Sequence, residues 1–279
     1  MPSESVPHIG LIIIGDEIMS GKRADKHLPA VIERLQARGL QLAYADYLGD
    51  APDRITTTLK RAFASADVVF SCGGIGATPD DHTRQCAAQA LGVALELHPQ
   101  ARTLILERMQ DTAREQGTAF EPERADNVHR LNMGVFPAGA HIIPNPYNKI
   151  PGFSCSAVPG AWEDGAVHFV PGFPVMAWPM VEWVLDRYYA HNFRRGAWVE
   201  KSVIAFGSME ATLTPLMEDI ERSFPGIKVF SLPSVDHPEY GRHIELGVKG
   251  EASSVDGAYA ALLKGLRVFE VRLGPELVR

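Results

Sequence analysis

A glycine-rich turn runs straight into paired carboxylates at Ser71-Cys72-Gly73-Gly74-Ile75-Gly76-Ala77-Thr78-Pro79-Asp80-Asp81-His82-Thr83, directly after the apolar run Val68-Val69-Phe70. Gly73, Gly74 and Gly76 lack a Cβ, so the backbone can turn its N–H groups toward a phosphate at close range. A helix starting near Asp80 adds its dipole to the same point. Asp80 and Asp81 repel a phosphate unless a divalent cation lies between them, so this pair is read as a metal site beside an anion nest. Asp16 and Glu17 follow another glycine, Gly15, at the end of the apolar run Ile9 to Ile14. The chemistry these residues suit is that of a phosphoanhydride or phosphoester.

The elements that must carry them alternate. Ile9 to Gly15 reads as a buried parallel strand with a functional loop, Gly15 to Gly21, at its carboxyl end. Leu28, Val31, Ile32 and Leu35 recur at helical spacing, and Gly39 is placed to stop that helix. A strand at Leu42 to Leu48, a helix capped by Asp53 with Ile55, Leu59, Ala62 and Phe63 inward, and a third strand at Val68 to Ser71 follow. Helices are expected at about Thr83 to Leu91 and Pro99 to Gln116, then an irregular stretch from Asn132 to Gly160, a strand at Ala166 to Val170, and a helix from Val175 to Tyr189. Such alternation implies right-handed crossovers and a parallel sheet, with ligands bound beyond the strands' carboxyl ends. The Asp16, Asp50 and glycine loops all open on that edge. A domain of residues 1–192 is expected, then a smaller α+β sandwich over 193–279 with the order β-α-β-β-α, its first helix capped by Ser208.

With 279 residues, 46% of them hydrophobic, the chain can bury a large core, and its net charge of −7 offers no field for a nucleic-acid backbone. Three cysteines, widely spaced and without a CxxC pair, argue against a disulfide framework or zinc cage and fit a reducing cytoplasm. Cys72 is read as a small buried residue, and His27 and His82 lack partners at metal-ligand spacing. Met1 to His8 shows no secretion signal, and no apolar stretch is long enough to span a bilayer.

Gly15-Asp16-Glu17-Ile18 with Ser20-Gly21, then Gly49-Asp50, the Gly73 to Thr83 loop, and Val170 before Pro171-Gly172-Phe173-Pro174 together resemble the molybdopterin-binding family, in particular its CinA branch. The match runs through roughly residues 8 to 192, and the C-terminal part is similar to the KH-like linker domain of that branch. The deamidase domain that often follows there is expected to be absent. The resemblance implies a three-layer α/β/α domain with a mostly parallel sheet whose glycine loop binds phosphate and, for this branch, a divalent-metal-dependent pyrophosphatase acting on ADP-ribose or a related nucleotide. Other branches bind or adenylylate molybdopterin, which adds that pterin as a candidate ligand. Asp50 and Asp81 fall on the positions the adenylylating branch uses as functional aspartates. Family resemblance also suggests a homo-oligomer. The chain departs from the pattern at Ala77, where proline is usual, at His27, where asparagine is common, at Asn148-Lys149-Ile150-Pro151-Gly152, and at Phe173.

The expected site therefore has Asp50 and Asp81 as catalytic residues, with Mg²⁺ or a similar ion on Asp80 and Asp81. Gly15, Asp16, Glu17, Ser20, Gly73, Gly74, Gly76, Thr78, Pro171 and Gly172 are expected to contact a small phosphate-containing ligand. The N–H groups of Gly74 to Thr78 would stabilise charge developing on the phosphate. A sensor that holds its ligand uncleaved, and an enzyme that adenylylates molybdopterin, are the alternatives. Nucleic-acid binding by the C-terminal part is not expected, since it lacks a GXXG loop and is not strongly basic.

Overall fold

The structure, a computed structural model, describes residues 8–158, 161, 166–193 and 198–279. The segment before His8, the end of the irregular stretch at Gly160 and the passage between the two expected domains lie outside the described residues. The chain divides into two compact units, Met1–Phe193 and Arg194–Arg279.

The first unit runs β1 (Ile9–Ile14), α1 (Asp16–Met19), α2 (His27–Gln36), β2 (Leu42–Leu48), α3 (Pro52–Phe63), β3 (Val68–Cys72), α4 (Thr83–Leu91), β4 (Leu95–Leu97), α5 (Pro99–Gln116), α6 (Ala125–Arg130), β5 (Val135–Pro137), β6 (His141–Ile143), β7 (Gly152–Cys155), β8 (Ala166–Val170) and α7 (Pro174–Tyr188). Six strands form one sheet in the order β2-β1-β3-β8-β7-β6; β4 and β5 pair separately. The first four run parallel, whereas β7 and β6 run antiparallel to their neighbours. This is a mostly parallel α/β sheet, and the short strands β4 to β7 are structure the sequence pattern did not reveal.

Alternation along the strands builds the layers. Ile9, Leu11 and Ile13 of β1 with Val68 and Phe70 of β3 pack against α2 and α7, while Ile12, Ile14 and Val69 pack against α3, α4 and α5. Every residue of β1 is buried, and each fully buried Ile or Val side chain contributes ~1.5–3 kcal/mol. Helix α3 begins at Pro52 after an Ala51 cap, so Asp53 lies in the first turn rather than at the cap. Proline at the first helical position sets that start, because its missing N–H is one no helix could use there. Helix α2 ends at Gln36, and Gly39 closes the following turn with a φ of 69°.

The second unit is β9 (Trp198–Phe206), α8 (Glu210–Ser223), β10 (Lys228–His237), β11 (Gly241–Glu251), α9 (Ala252–Val268) and β12 (Arg272–Val278). Its antiparallel sheet has the order β10-β11-β9-β12, with Leu213, Leu216, Leu262 and Leu266 of the helices in its core. The closing strand β12 completes a β-α-β-β-α-β unit. Met209, not Ser208, is the residue capping α8. Among the described residues no helix is long and apolar enough to cross a membrane.

Candidate functional site

The sheet brings three carboxyl-end loops together. After β1 the chain continues into α2 on one face, and after β3 it continues into α4 on the other. The loops therefore part and leave a crevice between them, the usual ligand position in such sheets. Gly15 N–H donates to Leu48 O at 3.0 Å, tying the first loop to β2, and Gly73 N–H donates to Val170 O at 3.0 Å, tying the glycine loop to β8. Gly73 has a φ of 109°, and a Cβ there would overlap the Ile14 carbonyl oxygen. Only glycine lets the β3 loop cross so close to the end of β1.

Asp16, Glu17 and Asp50 fall on the β1 and β2 side, and Asp80 and Asp81 on the loop after β3. Asp16 N–H donates to Asp50 Oδ2 at 2.8 Å, and Asp50 N–H donates to Asp16 Oδ1 at 3.1 Å. Glu17 lies 3.5 Å from the Arg23 guanidinium. Burial pushes the Asp50 carboxyl above the usual range, against the pull of the Asp16 N–H, and the charges of Asp16, Asp80 and Glu17 push it further up.

The glycine loop is shaped by its own side chains. Thr83, fully buried at the start of α4, donates from Oγ1 to Gly73 O at 3.1 Å and from N–H to Gly74 O at 3.0 Å. Asp81 Oδ2 accepts the Thr78 N–H at 2.8 Å and the Thr78 hydroxyl at 2.5 Å. The Thr78 N–H is thus already occupied, which corrects the expectation that it faces a phosphate. Among the described residues the N–H groups of Gly74, Ile75, Gly76 and Ala77 have no acceptor, leaving four donors on the loop.

These groups line one cavity of about 430 Å³. Glu17, Asp50, Asp80 and Asp81 supply its acids; Gly15, Gly73, Gly74, Gly76, Thr78, Pro171 and Gly172 also reach it. Ser20 and the Asp16 side chain do not: Ser20 N–H closes the turn on Asp16 O, and Asp16 holds Asp50. Gly172 O is in turn bonded to His27 Nε2 at 3.1 Å, so the histidine standing at the usual asparagine position braces the wall.

Several wall residues had not been expected: Arg23, Met133 and Asn145 line the cavity, as does Met176, beside Asn148 of the departing loop. Asn145 is buried and donates to Asn148 Oδ1 at 2.8 Å and Ile150 O at 2.9 Å. Asn148 donates to Met176 Sδ at 3.2 Å. The departure from family pattern at Asn148 to Gly152 marked this wall; nothing local marked Arg23. Among the described residues no group of three or more His, Cys, Asp or Glu is arranged to hold a metal ion. The three cysteines are free and buried.

The family model described as "Probable molybdopterin binding domain" matches residues 10–191, and the chain belongs to that family. A protein of Aeropyrum pernix is 29% identical over 274 residues, covering 98% of this chain and 95% of its own. A CinA-like protein of Anaeromyxobacter sp. (strain K) is 33% identical over 214 residues, covering 76% of this chain and 49% of that protein. The chain thus spans about half the length of that CinA-like relative. In a crystal structure of CinA from Thermoplasma acidophilum, described as of unknown function, the fold is similar with a TM-score of 0.51 and 25% identity, over 64% of this chain and 97% of that one.

Proposed function

We propose that the cavity binds a phosphoanhydride such as ADP-ribose or a related nucleotide and hydrolyses it with the help of a divalent metal. The observation that carries this reading is the meeting of four carboxylates, Glu17, Asp50, Asp80 and Asp81, with the N–H groups of Gly74 to Ala77, four donors with no acceptor among the described residues, in one cavity. Asp50, raised first by burial and then by the charges of Asp16, Asp80 and Glu17, is relieved by a cation. Fewer than three protein donors suits Mg²⁺, which is commonly held by one or two carboxylates with water and substrate phosphate completing its shell. Asp80 and the free oxygen of Asp81 are the residues to hold it. When bound, such an ion neutralises phosphoryl charge and makes a nearby water easier to deprotonate.

The chain's own residues do the rest. Asp50, held in place by the Asp16 N–H, orients the attacking water and accepts its proton. The Gly74 to Ala77 N–H groups face the phosphoryl oxygens on which charge builds. Arg23 is positioned to neutralise a second phosphate. Release of AMP from ADP-ribose that depends on added metal supports this reading; no release with any divalent ion overturns it.

A second reading, binding of molybdopterin or a nucleotide without cleavage, is favoured by the match of residues 10–191 to a family model described as a probable molybdopterin binding domain. It predicts saturable ligand binding with no product after long incubation. An adenylyl transfer to molybdopterin instead predicts ATP turnover that depends on the pterin.

A further inference from the structure

A second cavity, of about 450 Å³, shares only Ala77, Thr78 and Asp81 with the acid-lined one. Its polar lining is of opposite character. Arg84 and Gln85 come from the first turn of α4, His82 from the residue before it, His129 from α6 and Asn132 from the short 3₁₀ turn that follows. Leu95 of β4 and Val135 of β5 add apolar surface.

Arg84 is the group that calls for a ligand. It is only 5% exposed. A guanidinium carries five N–H donors, yet among the described residues this one donates to a single acceptor, Gly76 O, at 2.6 Å, and its Nε has none. Asp81 lies close enough to oppose the effect of burial on Arg84, but one oxygen of that carboxylate is taken up by Thr78. A buried cation with unmet donors is costly unless an acceptor completes it. His129 adds a second fixed polar group, its Nε2 bonded to Ala77 O at 2.9 Å and its Nδ1 to Asn132 at 3.3 Å.

We propose that this cavity is a second binding site, distinct from the acid-lined one, for a small organic phosphate monoester, with the oxyanion on Arg84 and the apolar body between Leu95 and Val135. A cavity of this size is within the range that encloses such ligands. The unmet N–H donors of the buried Arg84 guanidinium call for an acceptor, which selects an anion over a cation. An oxyanion pairs with a guanidinium through two parallel N–H bonds, which is what the unmet donors of Arg84 offer.

The test is calorimetric titration of the full chain with phenyl phosphate. Met176→Trp fills the acid-lined cavity from α7 and adds nothing to the second cavity, and one binding site is expected to survive in that variant. Arg84→Gln in the same background is expected to weaken it at least tenfold. Leu95→Trp fills the second cavity while removing no hydrogen bond, and must weaken it equally, so the outcome stands even if Arg84→Gln fails to fold. Absence of binding to Met176→Trp, or binding untouched by Leu95→Trp, overturns the proposal. Because the readout is phenyl phosphate binding and not turnover, it is independent of whether the acid-lined cavity hydrolyses anything.

Discussion

Asp16 and Asp50 hold each other across the ends of β1 and β2: each carboxylate accepts the other's backbone N–H, at 2.8 and 3.1 Å. A hydrogen bond to a charged acceptor is worth ~1.5–3 kcal/mol, and here two of them fix the carboxylate that faces the cavity. A Cβ on Gly49 would overlap Asp16 Oδ1. Gly49→Ala is therefore expected to destabilise the protein by ~1–3 kcal/mol and to reduce turnover while Asp50 itself is untouched. Denaturant melts and kinetics on that variant check both, and a fully active Gly49→Ala protein would show that the clasp is dispensable.

Gly74 has a φ of 68°, and a Cβ there would overlap Thr83 Oγ1. Two costs are separable: ~1–2 kcal/mol for a left-handed alanine and a further steric part. Thr83→Ala alone loses the Gly73 hydrogen bond, but in the double variant it removes the obstacle. The pair should be non-additive, the double variant more stable than the sum of the singles. Additive melting data would contradict the geometry.

In the proposed hydrolysis Asp50 acts in its ionised form, and its carboxyl is raised first by burial. Hydrolysis of ADP-ribose should fall as pH drops through that raised value, so its acidic limb lies above the ordinary carboxylate range. Asp50→Asn should lose ~100-fold or more in turnover and with it the limb. Chelation should abolish the rate in the parent protein and added Mg²⁺ restore it.

His168 is enclosed between Ser154 Oγ at 2.7 Å and the Tyr189 hydroxyl at 2.8 Å. Burial brings its imidazole from 6.5 down to about 3, so the folded protein keeps it neutral while the unfolded chain takes up a proton. Its contribution to stability is complete above the unfolded value of 6.5 and is lost as the pH falls toward about 3, at a slope of ~1.4 kcal/mol per pH unit. Urea melts between these limits should show that slope, and His168→Gln should flatten it.

Lys149 has a φ of 64° and places its ammonium 2.6 Å from Asp111 Oδ2. Relief of a left-handed lysine is worth ~1–2 kcal/mol, against ~0–1 kcal/mol for an exposed ion pair. Lys149→Gly is expected to leave the melting temperature unchanged or raise it, and a large fall would mean that the pairing to α5 matters more than the backbone.

Much of this was legible from residue order because the signals were local. Buried parallel strands read as apolar runs, and Gly73 and Gly74 announced a turn that only glycine can make. What was hidden depended on partners distant in sequence or on small interruptions. Strand β12 carries Gly274-Pro275 in its middle, and its pairing with β9 shifts register between Leu273 and Glu276, which breaks the alternation by which a strand is recognised. Strands β4 and β5 are three residues each, too short for any periodicity. Thr78 looked like a phosphate donor because nothing in its neighbourhood shows that Asp81 folds back onto it. Arg23 reaches the cavity through the turn after α1, where its N–H is held by Glu17 O at 3.0 Å.

The crossing of the glycine loop over the Ile14 carbonyl has a last consequence. It sets Glu17 and Asp50 past the ends of β1 and β2, and the N–H donors together with Asp80 and Asp81 on the loop after β3, two modules that meet at a backbone contact. Either module can then be exchanged by a short loop replacement without rebuilding the other. A lineage can in this way change what it holds while keeping how it would cut, or lose the cutting and keep the grip.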